Sequence, residues 1–137
     1  IVVDESVFNK RDALIQELVR NGIQKPNIKV LAFKDKINKI EAFDYPTFCP
    51  NDLNWIAVFN KREVTGFVAQ DFDLLINYYD TEKIPLLLVS HQSKARFKVG
   101  FSSIDKRLNH FMIDIKSENY KVYIEELFKY LKTLNKI

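Results

Sequence analysis

Residues 54–60, Asn-Trp-Ile-Ala-Val-Phe-Asn, constrain this 137-residue chain more than any other stretch. Five apolar residues follow one another without polar alternation, and asparagine bounds them on both sides. Such a run predicts a strand buried on both faces, at the centre of a parallel sheet. Asn60 then stands at the carboxyl end of that strand, where open α/β sheets bind their ligands. A neutral amide there, in place of a carboxylate, is the main clue to function.

The flanking sequence alternates between strand and helix patterns. Residues 1–3, Ile-Val-Val, form an apolar strand that stops on Asp4 and Glu5, which implies that it emerges at a polar rim. Val7, Leu14, Ile15, Leu18 and Val19 share one helical face, and Asn21-Gly22 supplies a left-handed stop. Residues 28–33 read as a second strand. Ile37, Ile40 and Phe43 predict a short helix, limited by Pro46 and Pro50 and followed by a loop with Cys49. After the central strand, Val64, Phe67, Val68, Phe72 and Leu75 outline a helix over 64–79. Residues 84–89, Ile-Pro-Leu-Leu-Leu-Val, read as a fourth strand ending at Ser90-His91. Phe97, Val99 and Phe101 alternate with polar residues or glycine as in a strand, and Ser102-Ser103 predict the cap of a short helix to Leu108. Residues 111–115 form a fifth strand, and the last helix starts at Ser117. The predicted fold is a doubly wound, five-stranded parallel sheet with helices on both faces.

Composition excludes several classes. With 47% hydrophobic and 28% charged residues the chain is globular. A net charge of +3 is too mild to mark a nucleic-acid binder, and the basic run Lys94, Arg96, Lys98 reads as a solvated edge. Cys49 is the only cysteine, so no internal disulfide forms, and a reducing cytoplasmic setting is expected. No apolar run is long enough to span a bilayer and no secretory signal opens the sequence, so no membrane partner is expected. The expectation is one domain over residues 1–137, compatible with excision from a longer chain because Ile1 is not an initiator methionine.

The acid pair Asp4-Glu5, the helix ending in Asn-Gly, Ile-Pro-Leu-Leu-Leu-Val-Ser at the fourth strand and Asp-Ile-Lys-Ser before the last helix resemble the receiver domain of bacterial response regulators, the CheY-like fold. The resemblance implies strand order 2-1-3-4-5. It also implies a pocket in which Asp4 and Glu5 bind magnesium beside a phosphoacceptor, with Ser90 and Lys116 completing it. The acceptor position is Asn60, whose amide cannot attack a phosphoryl donor as a carboxylate does. The chain therefore resembles a pseudo-receiver: a regulatory protein-interaction module in signalling or transcription, not an enzyme, with at most weak Mg2+ at Asp4 and Glu5. Asp4 is expected to pair with Lys116. Receivers commonly dimerise or meet partners through the fourth helix, fifth strand and fifth helix, which here points to Phe97, Phe101, Tyr120 and Tyr123. The alternative is an active, magnesium-dependent phosphoryl acceptor with a misplaced site, for which Asp44, Asp71 and Asp73 are the nearby carboxylates.

Overall fold

The structure is a computed structural model that describes residues 1–38 and 40–136. Its centre is a single six-stranded sheet in which every neighbouring pair is parallel. The strands are β1 (Val2–Asp4), β2 (Leu31–Phe33), β3 (Thr47–Phe48), β4 (Leu74–Tyr78), β5 (Phe97–Phe101) and β6 (Phe111–Ile113), in spatial order β3-β2-β1-β4-β5-β6. Among the described residues, four α-helices accompany them: α1 (Arg11–Arg20), α2 (Arg62–Ala69), α3 (Ile84–Gln92) and α4 (Tyr120–Thr133). The α/β class and the parallel sheet agree with the sequence reading. The strand number and the order 2-1-3-4-5 do not.

Four local misreadings account for the difference. Residues 84–89 form the start of α3, not a strand. A short apolar run does not separate a buried strand from a buried helix, and this one is rich in leucine, a good helix former. Pro85 falls in the first helical turn, where its missing N–H leaves no bond unmade. The helix expected over 64–79 ends at Ala69, and Leu74–Tyr78 is instead β4, buried from Leu75 onward. Residues 54–60 form no strand: they make a tight turn at the surface. Thr47–Phe48, in a region expected to be irregular, pairs with β2 as the edge strand.

Smaller expectations also change. The short helix through Ile37, Ile40 and Phe43 is not formed by the described residues, and Lys39 lies outside them. Residues 102–108 are turns, and the last helix begins at Tyr120 rather than Ser117.

Where the periodicity is regular, element and pattern agree. In α1, Leu14, Ile15 and Leu18 are buried and Val19 is half-buried, whereas Val7, expected on the same face, precedes the helix and is exposed; the chain leaves through Gly22 at φ 101°. In α4, Tyr123, Ile124, Leu127, Phe128 and Leu131 form the buried stripe. Helix α1 packs with α4, and α2 with α3. Right-handed crossovers place these pairs on opposite faces, because the chain leaves β1 in one direction along the sheet and β4 in the other. Under the α1/α4 pair, Tyr78 meets Phe8, Phe101 and Tyr123 with ring centroids 4.8, 4.9 and 5.0 Å away. Its hydroxyl donates to Ser117 O at 2.6 Å, so this aromatic centre also fastens the turn before α4.

Candidate functional site

Because α1 leaves β1 on one side and α3 leaves β4 on the other, the loops between these neighbouring strands diverge at their carboxyl ends. In doubly wound sheets that crevice is the usual ligand site. Asp4 ends β1 and is only 3% exposed. Its Oδ1 accepts the Ser6 N–H at 3.0 Å, and its Oδ2 lies 2.8 Å from Lys83 Nζ. Lys83, the residue before α3, reaches across the crevice, also binds Asp35 Oδ1 at 2.9 Å, and sits 5.5 Å from the centre of the Phe33 ring. Ser6 Oγ in turn accepts the Asp35 N–H at 2.7 Å. Partial burial pulls the Lys83 ammonium down, but the hydrogen bonds and charges of Asp4 and Asp35 outweigh it and hold its pKa above the ordinary value. A lysine so held stays protonated and is neither nucleophile nor base at neutral pH.

The neighbouring acid is also occupied. Glu5 forms a salt bridge with Arg11 at the start of α1, and the Arg11 guanidinium lies 4.5 Å from the centre of the Tyr45 ring. Beside this pair is an open cavity of about 480 Å³, lined among others by Asn9, Lys10, Asp12 and Lys34. Among the described residues, no three His, Cys, Asp or Glu side chains are grouped to hold a metal ion. The Lys83 ammonium occupies the position between Asp4 and Asp35 that a bridging cation would need.

The expected receiver pocket is only partly brought together. Asp4 and Glu5 stand at the crevice as expected. The cation on Asp4 is Lys83, not Lys116, which is exposed in the turn between β6 and α4. Asn60 is exposed beyond edge strand β3, two strands from β1, with its N–H on Asp52 O at 2.9 Å. Its place follows from residues 54–60 being a turn and not the central strand. Ser90 is buried within α3, bonded to Asn77, Tyr79 and the Leu86 carbonyl. Of the expected interaction face, Phe101 and Tyr123 belong to the core at 2% and 0% exposure. Phe97 and Tyr120 are half-buried, against His110 and Phe8 respectively.

The feature that sequence reasoning placed inside is on the outside. Trp55 is 96% exposed, and Ile56 and Val58 are exposed with it. Asn54 clamps the turn: its Oδ1 accepts the N–H groups of Ile56 at 3.1 Å and Val58 at 2.9 Å, and its own N–H donates to Val58 O at 2.9 Å. Leu53 and Phe59 bridge the base, and buried Phe59 packs edge-on to Phe48 at 5.9 Å. Ala57 takes φ 62°, which a residue with a Cβ adopts only at a cost. Asparagine at the head of the run, able to bond backbone groups two and four residues on, was the available signal for a turn.

Residues 1–134 match the model of a family described as "Family of unknown function (DUF6913)". The chain belongs to DUF6913. No curated protein and no solved structure matches it.

The DUF6913 chain also carries a buried polar chain on the α2/α3 face. Asn77 of β4 donates from Nδ2 to Asn109 Oδ1 at 2.8 Å and accepts the Ser90 hydroxyl at 2.9 Å. Ser90 Oγ lies 2.5 Å from the Tyr79 hydroxyl. Burial, opposed by the Ser90 hydrogen bond, pushes the Tyr79 pKa up to about 12. Asn109 packs so closely over Gly100 that a Cβ there would collide with its amide group, 2.9 Å from Asn109 Cγ. This network ties β4, α3 and the β5–β6 connection together behind the crevice. Among the described residues, no helix is long and apolar enough to cross a membrane.

Proposed function

We propose that this domain is a non-catalytic protein-interaction module that works through the carboxyl end of its sheet. The observation that carries the reading is where its exposed apolar side chains lie. Among the described residues, nine large hydrophobic side chains are exposed: Val7, Ile40, Trp55, Ile56, Val58, Ile84, Val122, Tyr130 and Leu134. The first seven lie in segments that leave the carboxyl ends of strands, or in the first turn of the helices α3 and α4 that follow. Only Tyr130 and Leu134 lie toward the far end of α4. Exposed apolar residues gathered at one end of a domain mark an association surface.

The charges at that end support the same reading. Lys83 with Asp4 and Asp35, Arg11 with Glu5, and Arg107 with Asp105 are paired within the chain. Paired charges can be covered by a partner without leaving an isolated ion in the interface. The same pairing occupies the carboxylates of Asp4, Glu5 and Asp35, so the reading keeps the interaction role implied by the receiver resemblance and drops its phosphoryl chemistry.

The test places a photoreactive amino acid at Val7, at Ile84 and, as a control at the opposite end, at Lys129, in cells that make the full chain. Proteins joined from positions 7 and 84 but not 129 are then purified and their affinity measured against Val7→Asp and Ile84→Asp. A loss of tenfold or more supports the reading, on the order of 1.4 kcal/mol. Adducts from position 129 alone, or phosphorylation of the purified domain by acetyl phosphate in an intact-mass measurement, would overturn it.

A further inference from the structure

We infer that the turn over residues 53–59 is a preformed anchor that inserts Trp55 into an apolar pocket of a partner protein, and that the pocket offers a hydrogen-bond acceptor to the indole N–H. This rests on the interaction-module reading and names the anchor and the chemistry of its receptor. The turn is built to hold its shape with its apolar side chains in water. Asn54 makes two side-chain bonds to its backbone, Phe59 plugs its base into the core, and Ala57 is held at φ 62°. A segment ordered before binding loses little entropy on binding, so nearly all its contact energy is available for affinity. Tryptophan is the residue type that most often dominates such contacts, and its N–H needs an acceptor once buried.

Size and charge decide the occupant. The tip of Trp55, Ile56 and Val58 offers on the order of 300 Å² of apolar surface. A stable interface needs roughly 800 Å² from each partner. Two convex tips meeting each other would cover still less, so a second copy docking tip to tip does not suffice. A concave partner surface that encloses the tip can extend past it over the polar surface toward Val7 and Ile84, which two convex tips cannot do. A lipid surface fits poorly for a different reason. Residues 50–63 contain two cations, Lys61 and Arg62, and two acids, Asp52 and Glu63, and Lys61 leans toward Asp52 at 3.9 Å. Peripheral membrane anchors combine an apolar tip with a net positive charge, and residues 50–63 carry none. The receptor is therefore a protein pocket of low net charge.

Trp55 is the only tryptophan of the chain, so its fluorescence reports on the anchor alone. The full chain with a photoreactive benzoylphenylalanine in place of Ile56 should form one discrete protein adduct in cells. That protein, purified and added to the unmodified chain, should shift Trp55 emission to the blue and shield it from iodide. Trp55→Ala should weaken binding by at least about 30-fold with an unchanged melting temperature, since the side chain touches little in the free domain. The inference falls if no discrete adduct forms, or if Trp55→Ala binds as tightly as the native chain. It also falls if emission shifts on concentrating the protein alone, which assigns the tip to a second copy. A shift on adding phosphatidylcholine vesicles, with or without phosphatidylglycerol, assigns it to lipid and likewise overturns the inference. Adducts from positions 7 and 84 without one from 56 would remove the anchor and leave the module; silence at all three removes both.

Discussion

Lys83 Nζ lies 2.8 Å from Asp4 Oδ2, so the residue before α3 is fastened to the last residue of β1 across the mouth of the sheet. Asp4 is buried and Lys83 is about one-fifth exposed. The pair therefore holds a charge that the interior would otherwise reject, and it fixes where α3 starts relative to β1. This lock fills the crevice between β1 and β4, the usual ligand site of a doubly wound sheet, with the chain's own charges and leaves the open cavity beside Glu5 and Arg11.

Removing the lysine should expose that dependence. Lys83→Met leaves the Asp4 carboxylate buried without its cation, at a cost of about 3 kcal/mol. Adding Asp4→Asn removes the stranded charge and should restore most of the loss. Urea unfolding of the two single variants and the double variant measures this. Equal destabilisation by Lys83→Met with and without Asp4→Asn would show that the ion pair is not what holds the crevice closed.

Stability should fall at alkaline pH, and the sign follows from the direction of the raised groups, of which Lys83 and Tyr79 lie at the crevice and the polar network behind it. Lys83 is raised above 10.5 in the folded state, and Tyr79 is raised from 10.0 to about 12. In both cases the folded chain holds its proton more tightly than the unfolded chain. The stabilisation is complete below the unfolded values and is lost as pH rises through the folded ones. Tyr79→Phe should flatten part of the decline between pH 10 and 12, read as denaturant midpoint against pH, because it removes one of the protons involved, while Tyr78 and Tyr123, also raised by burial, keep their share.

Asn60 should be silent toward magnesium. Exposed and beyond the edge strand, it contributes nothing to the surroundings of Asp4. Asn60→Asp is expected to change stability by no more than about 0.5 kcal/mol, as at an ordinary surface position. Thermal melting with and without magnesium should respond alike in the native chain and the variant. A magnesium stabilisation seen only in Asn60→Asp would return that residue to the acidic pocket.

The sequence was legible where helices are amphipathic and where short apolar runs have marked ends. In α1 and α4 polar residues interrupt the apolar ones at the helical period, Asn21-Gly22 ends α1 and Asp4 ends β1. β2 and β6 read as short apolar runs, and Phe97–Phe101 alternates like a strand although the expected five-stranded sheet did not include it. Legibility failed where apolar residues run together. Residues 84–89 and 74–79 are both largely apolar runs, and one became a helix and the other a strand. Residues 55–59 failed for a more informative reason. An apolar run left exposed on a turn has the same composition as a run covered by its own chain. The lock was half visible: Asp4 stood out as an acid ending an apolar strand, but nothing local in Lys83 announces a partner so distant in sequence. Trp55 and Lys83 thus required the fold before either could be assigned a place.

Gly100 and Asn109 should prove coupled. A Cβ on Gly100 would run into the Asn109 amide, 2.9 Å from its Cγ and 3.1 Å from its Oδ1. Asn109 is buried and held by Asn77, so it has little room to retreat. Gly100→Ala should cost about 1–3 kcal/mol by overpacking. In an Asn109→Ala background the added cost should shrink, giving a coupling of about 1 kcal/mol in a double-mutant cycle. Additive costs would place the strain elsewhere.

Ala57 connects stability to recognition. At φ 62° an L-residue with a Cβ is strained by roughly 1 kcal/mol, and glycine at the same angle is free of that steric cost. Glycine would also be more flexible in the unfolded chain, which returns part of the gain. Ala57→Gly should therefore stabilise the domain by about 0.5 kcal/mol, seen as a higher denaturant midpoint. The anchor should respond in the opposite direction. Glycine loosens the turn between Trp55 and Val58, so the bound form must be ordered at the moment of contact, and affinity for the partner should fall severalfold despite the better folding. A variant that is both more stable and equally tight in binding would show that the turn works without preorganisation. A variant that loses stability would show that Ala57 makes contacts worth more than its strain.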